Sequence, residues 1–296
     1  MPEISLVFDS DSKAIISTIG ASLLELSIKS KKLITRTADP TKIFAGAVLA
    51  PWQNRLANGE YFDSNGNLKV VPINEQDFGN ALHGLVFTTE FDVLKQTDNK
   101  VVLGTTIAAT DGYSHNIELE VTYQISDAGF LCEFIATNNS ESVAPFVIGF
   151  HPYFTIGDPI KSTLALPAES YYPQDKNKVP LARASVAGTS FDFRKERTLE
   201  GAILDDYFTD LQIVNGEIVS CLNTCEWSLE LSQSTNLRHL VVFLKENYES
   251  DGELVAAIAI EPASGPANAF NSKEDLVLIE PADSFRGNWS VRLTAQ

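Results

Sequence analysis

Cysteine is scarce in this chain of 296 residues, which holds only Cys132, Cys221 and Cys225. An odd, sparse set is no disulfide framework. Cys221 and Cys225 stand four apart, but no second close pair of Cys or His completes a zinc site. Free thiols, mostly buried, are expected, and no metal. Positive charge is also short: 22 Lys and Arg face 39 Asp and Glu, a net charge of −17. Such a surface repels phosphate backbones, which argues against a nucleic-acid partner. It also weakens the case for a strongly anionic substrate unless a local basic pocket exists. No apolar run reaches the ~18 residues of a membrane-spanning helix, so no membrane partner is expected. The opening Met1-Pro2-Glu3-Ile4-Ser5 lacks the basic start and apolar run of a signal peptide, and a cytoplasmic location is expected. Sustained helical periodicity, fixed-period repeats and low-complexity tracts are absent as well.

What remains is strand signal. Ile117, Leu119, Val121 and Tyr123 alternate with Glu118, Glu120 and Thr122, as on a half-buried strand. Asp127-Ala128-Gly129 turns the chain, and Leu131 to Ala136 reads as the returning strand of a hairpin. Trp227, Leu229 and Leu231 alternate again. The runs Leu240 to Leu244 and Val255 to Ile260 are continuously apolar and predict strands buried on both faces. Ser290 to Thr294 reads as a closing strand with Val291 and Leu293 inward. Asn65-Gly66, Asp111-Gly112, Asn215-Gly216 and Asp251-Gly252 are dipeptides that tight turns favour. The stretch from Pro167 to Glu200 is polar and irregular and reads as long loops with short edge strands. The length gives a soft prior of two domains, but β-sandwiches often run longer as one. The expected architecture is all-β: one large antiparallel β-sandwich, a single domain over residues 1–296.

Five segments set polar groups beside glycine, proline and aromatics: Pro51-Trp52-Gln53-Asn54-Arg55-Leu56, Asn80-Ala81-Leu82-His83-Gly84, Ile148-Gly149-Phe150-His151-Pro152-Tyr153-Phe154, Leu204-Asp205-Asp206-Tyr207-Phe208, and Ile260-Glu261-Pro262 with Gly265 to Asn271. In the third, Gly149 permits unusual backbone angles or close approach. Pro152 pushes His151 toward an extended conformation, so the imidazole is held at a strand end. Glu261 follows an apolar strand; buried without a partner it would be costly, so it is expected to face a cleft. Each residue alone also has a plain structural reading. Glu261 suits a strand-capping salt bridge, His83 a satisfied core histidine, Arg55 a surface arginine and Asp205 a turn. His115 and His239 lack comparable surroundings and are given no role.

Together the segments resemble the aldose 1-epimerases, the galactose mutarotase-like proteins. The resemblance rests on Asn54-Arg55 with Asn58-Gly59-Glu60-Tyr61, Leu82-His83-Gly84, Gly149 to Phe154, Leu204-Asp205, and Glu261-Pro262 with Asn268-Ala269-Phe270-Asn271. It covers essentially the whole chain and implies a galactose mutarotase-like supersandwich with a cleft on one sheet. By this resemblance His151 is the general acid and Glu261 the general base. Arg55 and His83 hold the ring oxygen and hydroxyls, and Asp205 binds sugar, with a one-residue shift to Asp206 left open. Asp206 stands where many relatives have a histidine. Trp52, Tyr153 and Phe208 are expected to line the cleft.

Interconverting anomers needs a base for the C1 hydroxyl proton and an acid for the ring oxygen. A carboxylate and an imidazolium, with ordinary pKa values of about 4.3 and 6.5, would coexist near neutrality. The chemistry asks for no metal or organic cofactor. The leading reading is therefore an isomerase acting on a free hexose, a small-molecule sugar partner. The alternatives are a carbohydrate-binding or sensing protein on the same fold, and a hexose 6-phosphate mutarotase. The last would want extra lysines or arginines beside the cleft, and the motifs show Arg55 but no basic cluster. A glycoside hydrolase would pair two carboxylates instead. Oligomeric state is not legible.

Overall fold

The alternating segments form strands throughout residues 2–295, the part of the chain that the structure, a computed structural model, describes. The Ile117–Ser126 strand buries Ile117, Leu119, Val121 and Tyr123 and turns the residues between them outward. It pairs in unbroken register with Gly129–Asn138 across the Asp127-Ala128 turn. These two strands sit in a nine-stranded antiparallel sheet. Asp92–Gln96 and Lys100–Ile107 flank them on one side; Ser284–Thr294, Ser228–Ser234, Glu217–Asn223, Thr163–Ala165 and Arg197–Thr198 follow on the other. The closing strand begins earlier than the apolar pattern suggests, at Ser284, with Val291 fully buried and Leu293 packed against the core.

A second antiparallel sheet is built around the long strands His239–Ser250 and Glu253–Ala263. Asp205–Leu211 borders the first of them, with Ala168–Tyr172 and Ala184–Ser185 beyond it. Gly149–Phe150 and Tyr153–Gly157 both pair with Glu253–Ala263, and Val48–Leu49 completes the far edge. A four-stranded sheet from Glu3–Val7 to Lys31–Ile34 adds Leu6, Ile16 and Leu26 to the same hydrophobic core. Met1, where the stretch read for a signal peptide begins, lies outside the described residues. Among the described residues, no helix is long and apolar enough to cross a membrane.

The two apolar runs are buried on both faces, and the two faces do different things. Leu240, Val242, Leu244, Ile258 and Ile260 point into the main core, where Val121, Phe134 and Trp289 of the nine-stranded sheet meet them. Phe150 joins the sheets, its ring 5.9 Å from both Phe134 and Trp289. The alternate residues point the other way: Val241, Phe243 and Lys245 stand opposite Glu261, Ala259 and Ala257 in the antiparallel register. That second face forms the floor of a cavity.

Turn chemistry follows the dipeptides in part. Asn215-Gly216 and Asp251-Gly252 have both residues at positive φ, the two-residue turn that matches strand twist. Asn65-Gly66 closes the Glu60–Phe62 and Leu68–Val70 hairpin. Asp111-Gly112 does not make a tight hairpin; it sits in the longer connection between Ile107 and Ile117, where Gly112 lies against the Val70 carbonyl. The thiols also differ from expectation: Cys132 is buried, Cys221 half-buried and Cys225 exposed, because only Cys132 falls on an inward strand position.

Ile258 is fully buried in the layer between the sheets. Ile258→Ala should destabilise the chain by about 2–5 kcal/mol, measured by urea unfolding. A loss below ~1 kcal/mol would show that the sheets close over the deleted volume.

Candidate active site

His151, Glu261, His83, Arg55, Asp205 and Tyr153 all line one cavity of about 190 Å³. That is smaller than the roughly 300–1,000 Å³ pockets that take drug-sized ligands. Trp52 and Phe208, expected to line it, do not.

His151 joins the strands Gly149–Phe150 and Tyr153–Gly157. Its N–H donates to the Ala47 carbonyl at 3.1 Å, and its carbonyl accepts from the Gly46 N–H at 2.8 Å. Gly149 serves close approach, since a Cβ there would lie 2.9 Å from the Gln53 Cβ. The ring stacks on Tyr153 with centroids 4.9 Å apart. His151 Nε2 lies 3.5 Å from Glu261 Oε1. Both side chains are almost wholly out of water. Burial therefore disfavours both charges. It lowers His151 to about 4. It raises Glu261 well above the ordinary carboxylate value; Asp205 adds to that rise and Arg55 opposes it. Burial thus works against the carboxylate–imidazolium pair expected from ordinary pKa values. Both shifts act in the direction of the uncharged forms of the two groups.

His83 and Asn54 are held together in left-handed backbone conformations. The His83 N–H donates to the Asn54 carbonyl at 2.9 Å, and the Asn54 N–H donates to His83 Nδ1 at 3.3 Å. Gly84 makes this turn possible, because a Cβ there would fall 2.1 Å from the Ala50 carbonyl oxygen. Burial, and then His151 and Arg55, lower the His83 pKa well below its ordinary value. The ring is neutral, and with Nδ1 accepting, the proton sits on Nε2 and is left to donate into the cavity.

Arg55 is a hub. Its guanidinium donates to both oxygens of Glu75 at 2.9 to 3.1 Å and to the Tyr207 hydroxyl at 2.8 Å. The Tyr207 hydroxyl in turn donates to Asn54 Oδ1 at 2.8 Å. Burial works against the Arg55 charge, but Tyr207, Glu75 and Asp205 outweigh it and keep the group protonated. The strand carrying Arg55 is fixed by Asn268: its N–H donates to the Arg55 carbonyl and its Oδ1 accepts from the Ala57 N–H. Phe270 packs edge-on against Trp52 and Tyr61. The Asn268 to Asn271 motif thus positions Arg55 from behind.

Strand alternation decides between Asp205 and Asp206. Asp205 and Tyr207 face the cavity side, with Asp205 Oδ2 3.3 Å from Lys178 Nζ and 4.0 Å from Arg55. Asp206 turns away and accepts the Asp205 N–H. Phe208 shares that opposite parity and is fully buried in the main core near Phe191. Trp52 is also a core residue: its indole N–H donates to the Ala81 carbonyl, and its ring meets Phe270. Tyr153 does line the cavity. His239 bonds Asp275 at 3.0 Å and His115 contacts Ser142 at 3.4 Å; neither lines the cavity.

Sequence reading missed Glu75, Tyr207, Phe44, Phe243 and Lys245. Phe44 caps a short turn at positive φ and packs at a tilt against His83, with centroids 4.4 Å apart. Tyr207 lay inside a recognised motif, and strand parity from Asp205 would have found it. The others adjoin no motif. Among the described residues, no group of three or more His, Cys, Asp or Glu is arranged to hold a metal ion.

The family model described as aldose 1-epimerase matches residues 2–292. The chain is 28% identical over 281 residues to the uncharacterized protein YihR of Escherichia coli K12, covering 93% of this chain and 88% of that one. It is 28% identical over 174 residues to the aldose 1-epimerase of the same organism, covering 55% of this chain and 49% of that protein. The crystal structure of a putative aldose 1-epimerase from Escherichia coli K12 superposes with a TM-score of 0.85. Its identity is 16%, over 100% of this chain and 99% of that chain, a likeness of fold.

Folding lowers the His151 pKa from 6.5 to about 4. The neutral ring's contribution to stability is therefore complete above pH ~6.5 and is lost as pH falls toward 4, roughly 3 kcal/mol in all. In an NMR titration the His151 ring signals should stay flat above about pH 5 and move near pH 4. A midpoint near 6.5 would mean that water reaches the ring.

Proposed function

The chain belongs to the aldose 1-epimerase family, and we propose that it interconverts the α and β anomers of an aldohexose by acid–base opening and reclosure of the ring. The observation that carries this reading is the 3.5 Å approach of His151 Nε2 to Glu261 Oε1 at one small cavity. A protein that only bound sugar would have no need of an acid and a base facing each other.

Ring opening moves one proton off the C1 hydroxyl and one onto the ring oxygen, so the pair's proton count is unchanged. Burial shifts the pair's proton toward Glu261. Passing it to His151 yields the carboxylate base and imidazolium acid. The sugar's hydroxyls and the Arg55 guanidinium supply dipoles and charge that favour the carboxylate form of Glu261. Glu261 then takes the C1 hydroxyl proton while His151 protonates the ring oxygen, and the C1–O bond breaks to give the open aldehyde. Rotation about C1–C2 presents the other face, and the two groups exchange roles as the ring closes. The His83 Nε2–H donates to oxygen as charge develops there. Tyr153 supports the His151 ring by stacking. Asp205 accepts from sugar hydroxyls at the more open edge.

Polarimetry of freshly dissolved α-D-glucose and α-D-galactose tests this directly: the protein should hasten the approach to an unchanged final rotation. Glu261→Gln and His151→Asn should each slow turnover by roughly 10²–10⁴-fold, with circular dichroism reporting an intact fold. His239→Asn should stay close to the parent rate, since His239 bonds Asp275 outside the cavity. Near-parental rates in both site variants would sink the pairing.

A further inference from the structure

We propose that the substrate is an aldohexose bearing an anionic group, a carboxylate or a phosphate, at the end remote from C1, and that Lys245 recognises that group. This rests on the mutarotase reading and narrows its substrate class.

Lys245 lines the cavity. It stands opposite Ala257, four cross-strand pairs along from that of Val241 and Glu261 and on the same face of the sheet. Four residues of strand separate the Lys245 level from the Glu261 level, about 13 Å at ~3.3 Å per residue. A pyranose with C1 at Glu261 therefore lies between the carboxyl and the lysine stem. The ammonium, on its flexible four-carbon stem, comes to the far end of the ring and not to the reacting carbon. Ala257 and Ala259 keep the floor between them low, and Phe243 forms an apolar wall beside it.

The neighbouring cations are already engaged. Arg55 is held by Glu75 and Tyr207, and Lys178 lies 3.3 Å from Asp205. Among the described residues, Lys245 forms no ion pair, although the chain carries 39 acidic side chains. With Glu75 balanced by Arg55 and Asp205 by Lys178, Lys245 gives the cavity an uncompensated positive charge. Moving the proton between Glu261 and His151 leaves that excess unchanged, because the pair carries the same total charge in either arrangement. A neutral hexose offers it hydroxyl acceptors but no charge; an anion at C6 supplies both, through a hydrogen bond charged on each side. In a chain of net charge −17, such a site also supplies the local attraction that the surface denies to anions.

The test compares anomerisation of D-glucose and D-galactose with that of D-glucuronate and D-glucose 6-phosphate. Polarimetry follows the neutral sugars, and NMR exchange spectroscopy follows the rapidly mutarotating anions. The parent protein should favour at least one anion in kcat/KM, and the two anions separate carboxylate from phosphate. Lys245→Met should reduce the anion-to-neutral ratio by roughly 10- to 100-fold, and Lys245→Arg should restore most of it. Turnover of neutral sugars at least as efficient as of either anion, or a ratio unmoved by Lys245→Met, would overturn the inference and leave the mutarotase reading intact. No acceleration with any of the four sugars would defeat the mutarotase reading and this inference with it.

Discussion

The period of two along the central antiparallel strand pair is the constraint on which core and cavity both depend. Successive side chains of a strand point to opposite faces. In His239–Ser250 and Glu253–Ala263 one set fills the space between the large sheets, and the other set floors the cavity. A slip of one residue would send Ile260 into the cavity and Glu261 into the core. The hydrophobic demand of Leu240, Val242, Ile258 and Ile260 therefore holds the registration of Glu261 and Lys245. Stability and the geometry of the site are set by the same interaction.

Removal from water is the second determinant. The His151 ring and the Glu261 carboxyl are buried with Nε2 and Oε1 3.5 Å apart, and burial disfavours the charge of each. Arg55 keeps its charge in the same surroundings because Glu75 grips it through parallel hydrogen bonds and Tyr207 adds another. The cavity thus contrasts a fixed, fully partnered cation with a pair whose proton is mobile. The polar scaffolding behind it serves this contrast: Asn268 fixes the Arg55 strand, and the reciprocal bonds of Asn54 and His83 select one histidine tautomer.

Much of the site was readable from motifs because glycine, proline and asparagine leave marks where the backbone is unusual. Gly84 and Gly149 occupy positions where a Cβ would collide with neighbouring groups, and Asn54, His83 and Asn268 adopt positive φ. Those marks drew attention to His151, His83, Arg55 and Glu261, which share one cavity. Aromatic residues within the same motifs misled. Trp52 and Phe208 serve the core, since an aromatic ring's affinity for an apolar interior is the same whether or not a cleft lies nearby.

The amino-acid sequence by itself determined the strands, their alternating faces and the tight turns at Asn215-Gly216 and Asp251-Gly252, because these follow from local sterics and from where apolar side chains recur. Only tertiary structure decided what each face meets. Asp205 rather than Asp206 lines the cavity because Phe208 is claimed by the core. Glu75 reaches Arg55 from a separate loop, and Lys245 enters the cavity through a register set with Ala257. The opposed pKa shifts of His151 and Glu261 likewise arise from surrounding matter that excludes water. Such effects depend on contacts between residues far apart in the chain, and no local pattern encodes them.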